Sequence, residues 1–280
     1  MSDIDNVIAK IKEATKTKYT KIKVKKGETS PFESNFGGTP YYPKGFEYPF
    51  VKSLTNPNIQ VPMTLLAQIN FEEVPRLENF PEKGILQIFI SPDDDLCGAN
   101  FDNPTKQERY KIFYHADIDK SPENQQKAPK IRDYISDYDD YCFPVSVPLK
   151  LSFEPAESYI STDDYRFNEL FIKLYNEETG SDYEDTLDLP DEIFSKLIDE
   201  LSNEGHRMGG YPFFTQSDPR EYDEKYEDYN TLLLQIDSET SDDGEDWILW
   251  GDCGVANFFI KPEDLKNCKF DNVLYNWDCC

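Results

Sequence analysis

Two histidines, His115 and His206, are the only imidazoles in this chain of 280 residues. His206 opens the text HRMGGYPFFTQSDPR (206–220), which is followed by TLLLQID (231–237) and WGDCG (250–254). An imidazole beside a carboxylate is the usual general base or metal ligand near neutral pH. His206, Asp218, Arg220, Gln235 and Asp252 therefore form a candidate pocket in the second half. Each also has a structural assignment. His206 follows Gly205 and would cap a helix C-terminus, where a donor meets free carbonyls. Asp218-Pro219-Arg220 reads as a turn in which Asp218 accepts backbone N–H groups and Arg220 pairs with an acid. Asp252 would cap a tight loop between Gly251 and Gly254. The cap is the preferred role for His206. His115 lies on a strand-like segment, YKIFYHAD, in an acidic stretch.

No stronger chemical signature is present. The sequence contains no G-x-S-x-G, no phosphate-binding loop, no G-x-G-x-x-G and no H-E-x-x-H. The acid clusters SPDDD, DYDDY and SDDGED fit no twelve-residue calcium loop and read as solvated loops. The cysteines are Cys97, Cys142, Cys253, Cys268, Cys279 and Cys280, with no C-x-x-C among them. A zinc site on Cys253, Cys268 and the tail would match no usual finger spacing. Neither a metal nor a cofactor is expected. The first residues lack the apolar run of a secretory signal, and no stretch reaches the roughly 20 apolar residues of a membrane span. Reduced thiols and a cytoplasmic location follow as expectations.

Apolar periodicity indicates the elements that would position these residues. Ile4, Val7, Ile8, Ile11 and Ala14 mark an amphipathic helix. A lysine-rich segment up to Gly27 reads as a strand or exposed turn. TLLAQIN (64–70) and GILQIFIS (84–91) read as strands, as does FPVSVPLKLSFEP (143–155), with Pro148 at an edge or bulge. Helices are expected near 163–177, and from Pro190 to a stop at Gly205.

Three phrases then recur in order: GGTPYYP (37–43) with GGYPFFT (209–215), TLLAQIN with TLLLQID, and GILQIFISPDD (84–94) with GVANFFIKPED (254–264). The recurrence predicts an internal duplication. Gln68 and Gln235 occupy the same place in both copies. A buried, unpaired amide costs roughly 1–3 kcal/mol, so each glutamine is expected to bond main chain near its own Gly-Gly-x-Pro loop. The expected fold is α+β: mainly antiparallel β-sheets with flanking helices, internally duplicated, in a single globule of two pseudo-repeats. The pseudo-repeats span about 37–95 and 206–265, separated by an acidic, loop-rich and helical middle of about 96–205.

The segments 206–220, 232–237 and 250–260, with their weaker first copies, resemble the YwqG-like family, a bacterial family of unknown function. The likeness runs from about Thr39 to Asp264 and implies one domain over residues 1–280, with no activity attached. Charge narrows the function. Against 29 Lys and Arg stand 55 Asp and Glu, a formal net charge of −26. Such a surface repels nucleic acid and anionic membranes and favours basic partners or metal cations. The preferred expectation is a soluble acidic protein that binds, and in one form neutralises, a basic protein. The alternative is an enzyme or small-ligand binder using the second-half pocket.

Overall fold

Lysines alternate with Thr20, Ile22 and Val24 in TKYTKIKVKK, so one face of this segment is solvated while Thr20 and Ile22 are buried. The computed structural model describes residues 3–54, 56–134 and 142–279. It places this segment as β1 (Thr17–Lys26), paired along its whole length with β8 (Leu149–Ser158). β8 starts later than the alternation suggested. Residues 143–148 contribute only an isolated bridge, Val145 to Ile248. Pro155, which has no N–H, lies opposite Thr20, beyond Leu149–Lys150 where the neighbour on its other side stops.

The remaining strands are β2 (Asn35–Phe36), β3 (Phe50–Lys52), β4 (Gln60–Pro62), β5 (Thr64–Asn70), β6 (Ile85–Ile90), β7 (Tyr110–His115), β9 (Arg207–Gly209), β10 (Thr231–Asp237), β11 (Glu239–Thr240), β12 (Asp246–Ile248), β13 (Val255–Ile260) and β14 (Val273–Asp278). Ten strands, β1 and β8 among them, form a single sheet in the order β14-β13-β10-β9-β1-β8-β2-β5-β6-β7, and its pairings are antiparallel. The expected loop-rich middle therefore supplies two of its strands, β7 and the central β8.

The sheet curls until its two edges meet. The Tyr110 hydroxyl on β7 donates to the carbonyl of Val273 on β14 at 2.6 Å, and the Tyr110 and Tyr275 rings lie 5.2 Å apart. The enclosed face carries the main core, including Leu66, Ile69, Ile88, Ile112, Leu234, Ile236, Phe258 and Tyr275. The outer face is covered twice. The β3–β4 hairpin brings Tyr48, Val51 and Val61 against Leu65 and Phe89. The 214–229 segment brings Phe214, Tyr226 and Tyr229 against Leu232, Phe259 and Leu274.

The two β-pairs carrying the recurring text share one register. Thr64 faces Ile90 and Gln68 faces Gln87, with a bulge between Leu65 and Ala67. Thr231 faces Ile260 and Gln235 faces Asn257, with a bulge between Leu232 and Leu234. The glycines that open the phrase are set by close approach. A Cβ on Gly84 would lie 2.6 Å from the His115 carbonyl oxygen, and one on Gly254 would lie 1.9 Å from that of Asp278.

A separate helical cluster buries Val7, Ile8 and Ile11 of α1 (Asp3–Thr15) against Phe167 and Phe171 of α2 (Phe167–Thr179) and Leu197 and Leu201 of α3 (Asp191–Leu201). α2 starts later than expected because Asp164 turns the chain, accepting the Arg166 N–H at 3.1 Å. It ends at Gly180 in the left-handed region, φ 72°. α3 stops at Leu201, not at Gly205. A short α4 (Pro262–Lys266) leads into β14.

Candidate functional site

The five second-half residues do not converge on one pocket: Asp218 and Arg220 pair with each other, and none of the other three joins them. Gln235 is fully buried on β10. Its Oε1 accepts the Phe213 N–H at 2.8 Å, and its Nε2 donates to the carbonyls of Asn203 and Gly205 at 2.9 and 2.8 Å. Gln68 makes the corresponding set with the Tyr41 N–H and the carbonyls of Pro31 and Glu33. Beside each glutamine a second amide holds the same loop. Gln87 donates to the Tyr41 carbonyl and Asn257 to that of Phe213, at 2.9 and 2.8 Å. Both sets use the full donor capacity of the glutamine amide on main chain, which makes these side chains loop anchors.

His206 is buried, but it caps no helix, because α3 has ended at Leu201. The chain at 206 has already entered the sheet: the His206 carbonyl accepts the Ile22 N–H at 3.0 Å. Its Nδ1 accepts the Asp237 N–H at 3.0 Å, and its Nε2 lies 3.5 Å from a Glu239 oxygen. The nearby His206 ring lowers the Glu239 pKa, against burial. The ring also packs edge-on to Phe36, with centroids 5.5 Å apart.

Asp218 and Arg220 are both 1% exposed and lie in a short 3₁₀ turn that Asp218 caps through the Arg220 N–H at 3.0 Å. The Arg220 guanidinium donates to both oxygens of Asp218 and, at 3.3 Å, to Asp164. It stacks 4.1 Å from the centre of the Phe259 ring. Burial alone would raise the Asp164 pKa, but hydrogen bonds from Arg166 and the charges of Arg220 and Arg166 hold it below the ordinary value. These charges satisfy one another and are enclosed, so the network locks the 164–166 turn to the 218–220 turn.

Asp252 is exposed in the turn before β13 and joins none of these groups. The proposed pocket of five does not form. His115 has burial as the cause of a pKa lowered to about 4. Its Nε2 lies 3.0 Å from Gln87 Oε1, and its ring meets Tyr41 and Phe46 edge-on. Among the described residues no group of three or more His, Cys, Asp or Glu is placed to hold a metal ion. Cys280, part of the proposed zinc set, lies outside them.

Concave surface occurs elsewhere. A cleft of about 520 Å³ opens at the β14 edge. Phe101 and Trp277 form an aromatic wall, with ring centroids 6.3 Å apart, and Tyr222 stands on the rim, 71% exposed. Trp277 is fixed by its indole N–H, which donates to the Leu96 carbonyl at 2.7 Å. Asp95 and Asp278 bring carboxylates to the lining, and Asp95 is exposed. Asp278 Oδ2 accepts the Gln216 N–H at 2.7 Å, while its buried Oδ1 has no hydrogen-bond partner. Burial raises the Asp278 pKa against the pull of N–H groups from 215–217. Sequence reasoning missed this site because Trp277 and Asp278 fall beyond the recurring text. The signal was YNWDCC, a tryptophan beside an acid after an alternating run. A larger, more polar cavity of about 720 Å³ lies between the 76–82 loop and Gly209–Gly210, lined also by Lys18, Glu78 and Thr231. No helix is long and apolar enough to cross a membrane among the described residues.

A family model described as a domain of unknown function, DUF1963, matches residues 34–279. No curated protein matches the chain.

Proposed function

The chain belongs to the DUF1963 family, and we propose that it is an acidic binding protein whose cleft at the β14 edge receives a cationic side chain from a basic protein partner. The carrying observation is an aromatic wall of exposed Phe101 and half-buried Trp277, with the carboxylates of Asp95 and Asp278 in the same cleft. Aromatic faces attract ammonium and guanidinium groups, and adjacent carboxylates add charge. The net charge of −26 would steer such a partner toward the molecule. Titration with a lysine- and arginine-rich peptide, followed by Trp fluorescence and calorimetry, tests this. Binding should weaken about tenfold in Phe101→Ala and in Asp95→Lys, the scale of one cation–π or charge contact, and fall as salt rises. Absence of binding, or binding indifferent to both substitutions, would refute the proposal.

A second reading is a small-ligand site in the cavity beside Gly209–Gly210, favoured by its size and its place between the two β-pairs. We further infer that the two β-pairs descend from an internal duplication. The shared register, the matched bulges and the matched glutamine bonds support it. Within the family, the segments 206–220 and 250–260 support placement with YwqG-like proteins. The free thiols of Cys97, Cys142, Cys253, Cys268 and Cys279 suit a reducing, cytoplasmic setting.

A further inference from the structure

We propose that the open outer face of the two central strands, β1 and β8, docks an extended acidic segment of a partner protein. β1 carries five lysines and no acid, in a chain whose net charge is −26. Lys21, Lys23 and Lys25 alternate with Ile22 and Val24, which face the enclosed core, so the three lysines lie together on the opposite side of the sheet. Lys150 joins them from β8, between Leu149 and Leu151, and all four lysines are exposed. The β3–β4 hairpin and the 214–229 segment cover the outer face to either side and leave this middle stretch open.

The register concentrates positive charge here. Lys25 stands directly opposite Lys150, and Lys21 directly opposite Arg207 of β9. Like charges that face each other across strands destabilise a sheet. Arg207 is 4% exposed and makes no ion pair among the described residues. Its guanidinium donates to Asn203 Oδ1 at 2.6 Å and to the Glu204 carbonyl at 2.8 Å. Its Nε has no hydrogen-bond partner among the described residues, and the group lies 4.6 Å from the centre of the Tyr19 ring. Burial lowers the Arg207 pKa to about 10, against Tyr19 and Asp237, so it is charged at neutral pH. Glu154, opposite Lys21, accepts from Lys23 at 2.7 Å. Lys21, Lys25 and Lys150 form no ion pair among the described residues. Glu33 and Glu73, which share a shallow hollow with Lys150, accept the N–H groups of Ser30 and Ser34 instead.

Lysines guard exposed sheet edges against unwanted pairing. β1 and β8, however, are the fifth and sixth of ten strands, and Lys21 and Lys150 are paired on both sides. Edge protection therefore does not account for the stripe. Charge complementarity selects an acidic occupant, and spacing selects its form. Alternate residues on a strand lie about 6.6 Å apart, the repeat of an extended chain with an acid at every second position. The stripe shares no residue with the aromatic cleft at β14, whose occupant is cationic.

The test titrates the intact protein with a fluorescent peptide of alternating Glu and Thr, ten residues long like β1. Salt is held at about 0.15 M, where a Debye length of about 8 Å screens the remote acidic surface but not lysines in contact with the peptide. Saturable binding is expected, weakened at least about tenfold in Lys21→Gln/Lys25→Gln/Lys150→Gln. Lys173→Gln/Lys266→Gln/Lys269→Gln removes the same charge from other exposed positions and should bind as the parent does. Carbodiimide coupling of the bound peptide to the wild-type protein reads the site without any substitution, and should join its carboxylates to Lys21, Lys25 or Lys150. No binding, equal weakening in both triple variants, or coupling confined to other lysines would overturn the proposal. So would tighter binding of a single-stranded oligonucleotide or a phosphatidylserine vesicle than of the peptide, or self-association of the protein that the first triple variant abolishes.

Discussion

Arg220 shows how a sequence motif with catalytic ingredients becomes a brace. Its guanidinium answers two buried carboxylates, Asp218 and Asp164, so removing it leaves both without their shared cation. Arg220→Ala should destabilise by about 3–5 kcal/mol, the cost of breaking a buried pair from one side. Urea denaturation at neutral pH measures this. Asp164, whose pKa is depressed, contributes stability above the ordinary Asp pKa, and that contribution is lost as pH falls through its lowered pKa. Its neighbour Asp163 behaves oppositely. Burial pushes its carboxyl up to about 6, outweighing hydrogen bonds from Thr162 and the Phe214 N–H. A raised folded pKa gives stability that is complete below the unfolded value and lost as pH rises through about 6. Asp163→Asn should therefore be more stable than the parent above that pH, by about 1–3 kcal/mol, with the difference vanishing in acid. Melting curves across the range from acid to neutral pH check the sign.

Between strands, the repeated glycines and glutamines perform one task in two places. Gly84 and Gly254 let a neighbouring carbonyl, that of His115 or Asp278, sit where a Cβ would be. Gly254→Ala has the shorter approach, 1.9 Å against 2.6 Å, and should be the more damaging of the two. Thermal melts of both variants compare them, and both should lose stability on the order of 1–3 kcal/mol or more through forced backbone shifts. Gln68→Leu and Gln235→Leu each strand two carbonyls and one N–H of the anchored loop. Each should cost about 1–3 kcal/mol per polar group left buried and unpaired. Hydrogen exchange should locate the loosening at 31–41 in the first variant and at 203–213 in the second.

The acidity belongs to the molecule as a whole. Most of its ion pairs are exposed, such as Lys23–Glu154 and Lys26–Glu245, and contribute little individually. The excess of 26 negative charges is mutually repulsive in the folded form. Moving from about 0.01 M to about 0.15 M salt shortens the Debye length from about 30 to about 8 Å, so the melting temperature should rise. Scanning calorimetry over that range reads the shift, and an unchanged value would show that the repulsion is already compensated.

By itself the sequence determined the α1 face, the strands at 64–70 and 231–237, and the anchoring role of Gln68 and Gln235. Those features are periodic, or are required by the cost of an unpaired buried amide, and both act over a few residues. It also carried the α+β character and the absence of a known catalytic signature. Only the tertiary structure decided that β8 joins the recurring strands in one sheet, since its pairing with β1 across more than a hundred residues leaves no local period. The end of α3 at Leu201 likewise followed from contacts beyond the helix: His206 is drawn into the sheet by Ile22 and Asp237, a pull that Gly205 does not reveal. The cleft at Trp277 arises where the sheet curls until its edge strands meet, bringing Phe101 and Asp95 to residues near the other end of the chain. Closure of that kind is set by the summed packing of the enclosed face, a property of all the strands together.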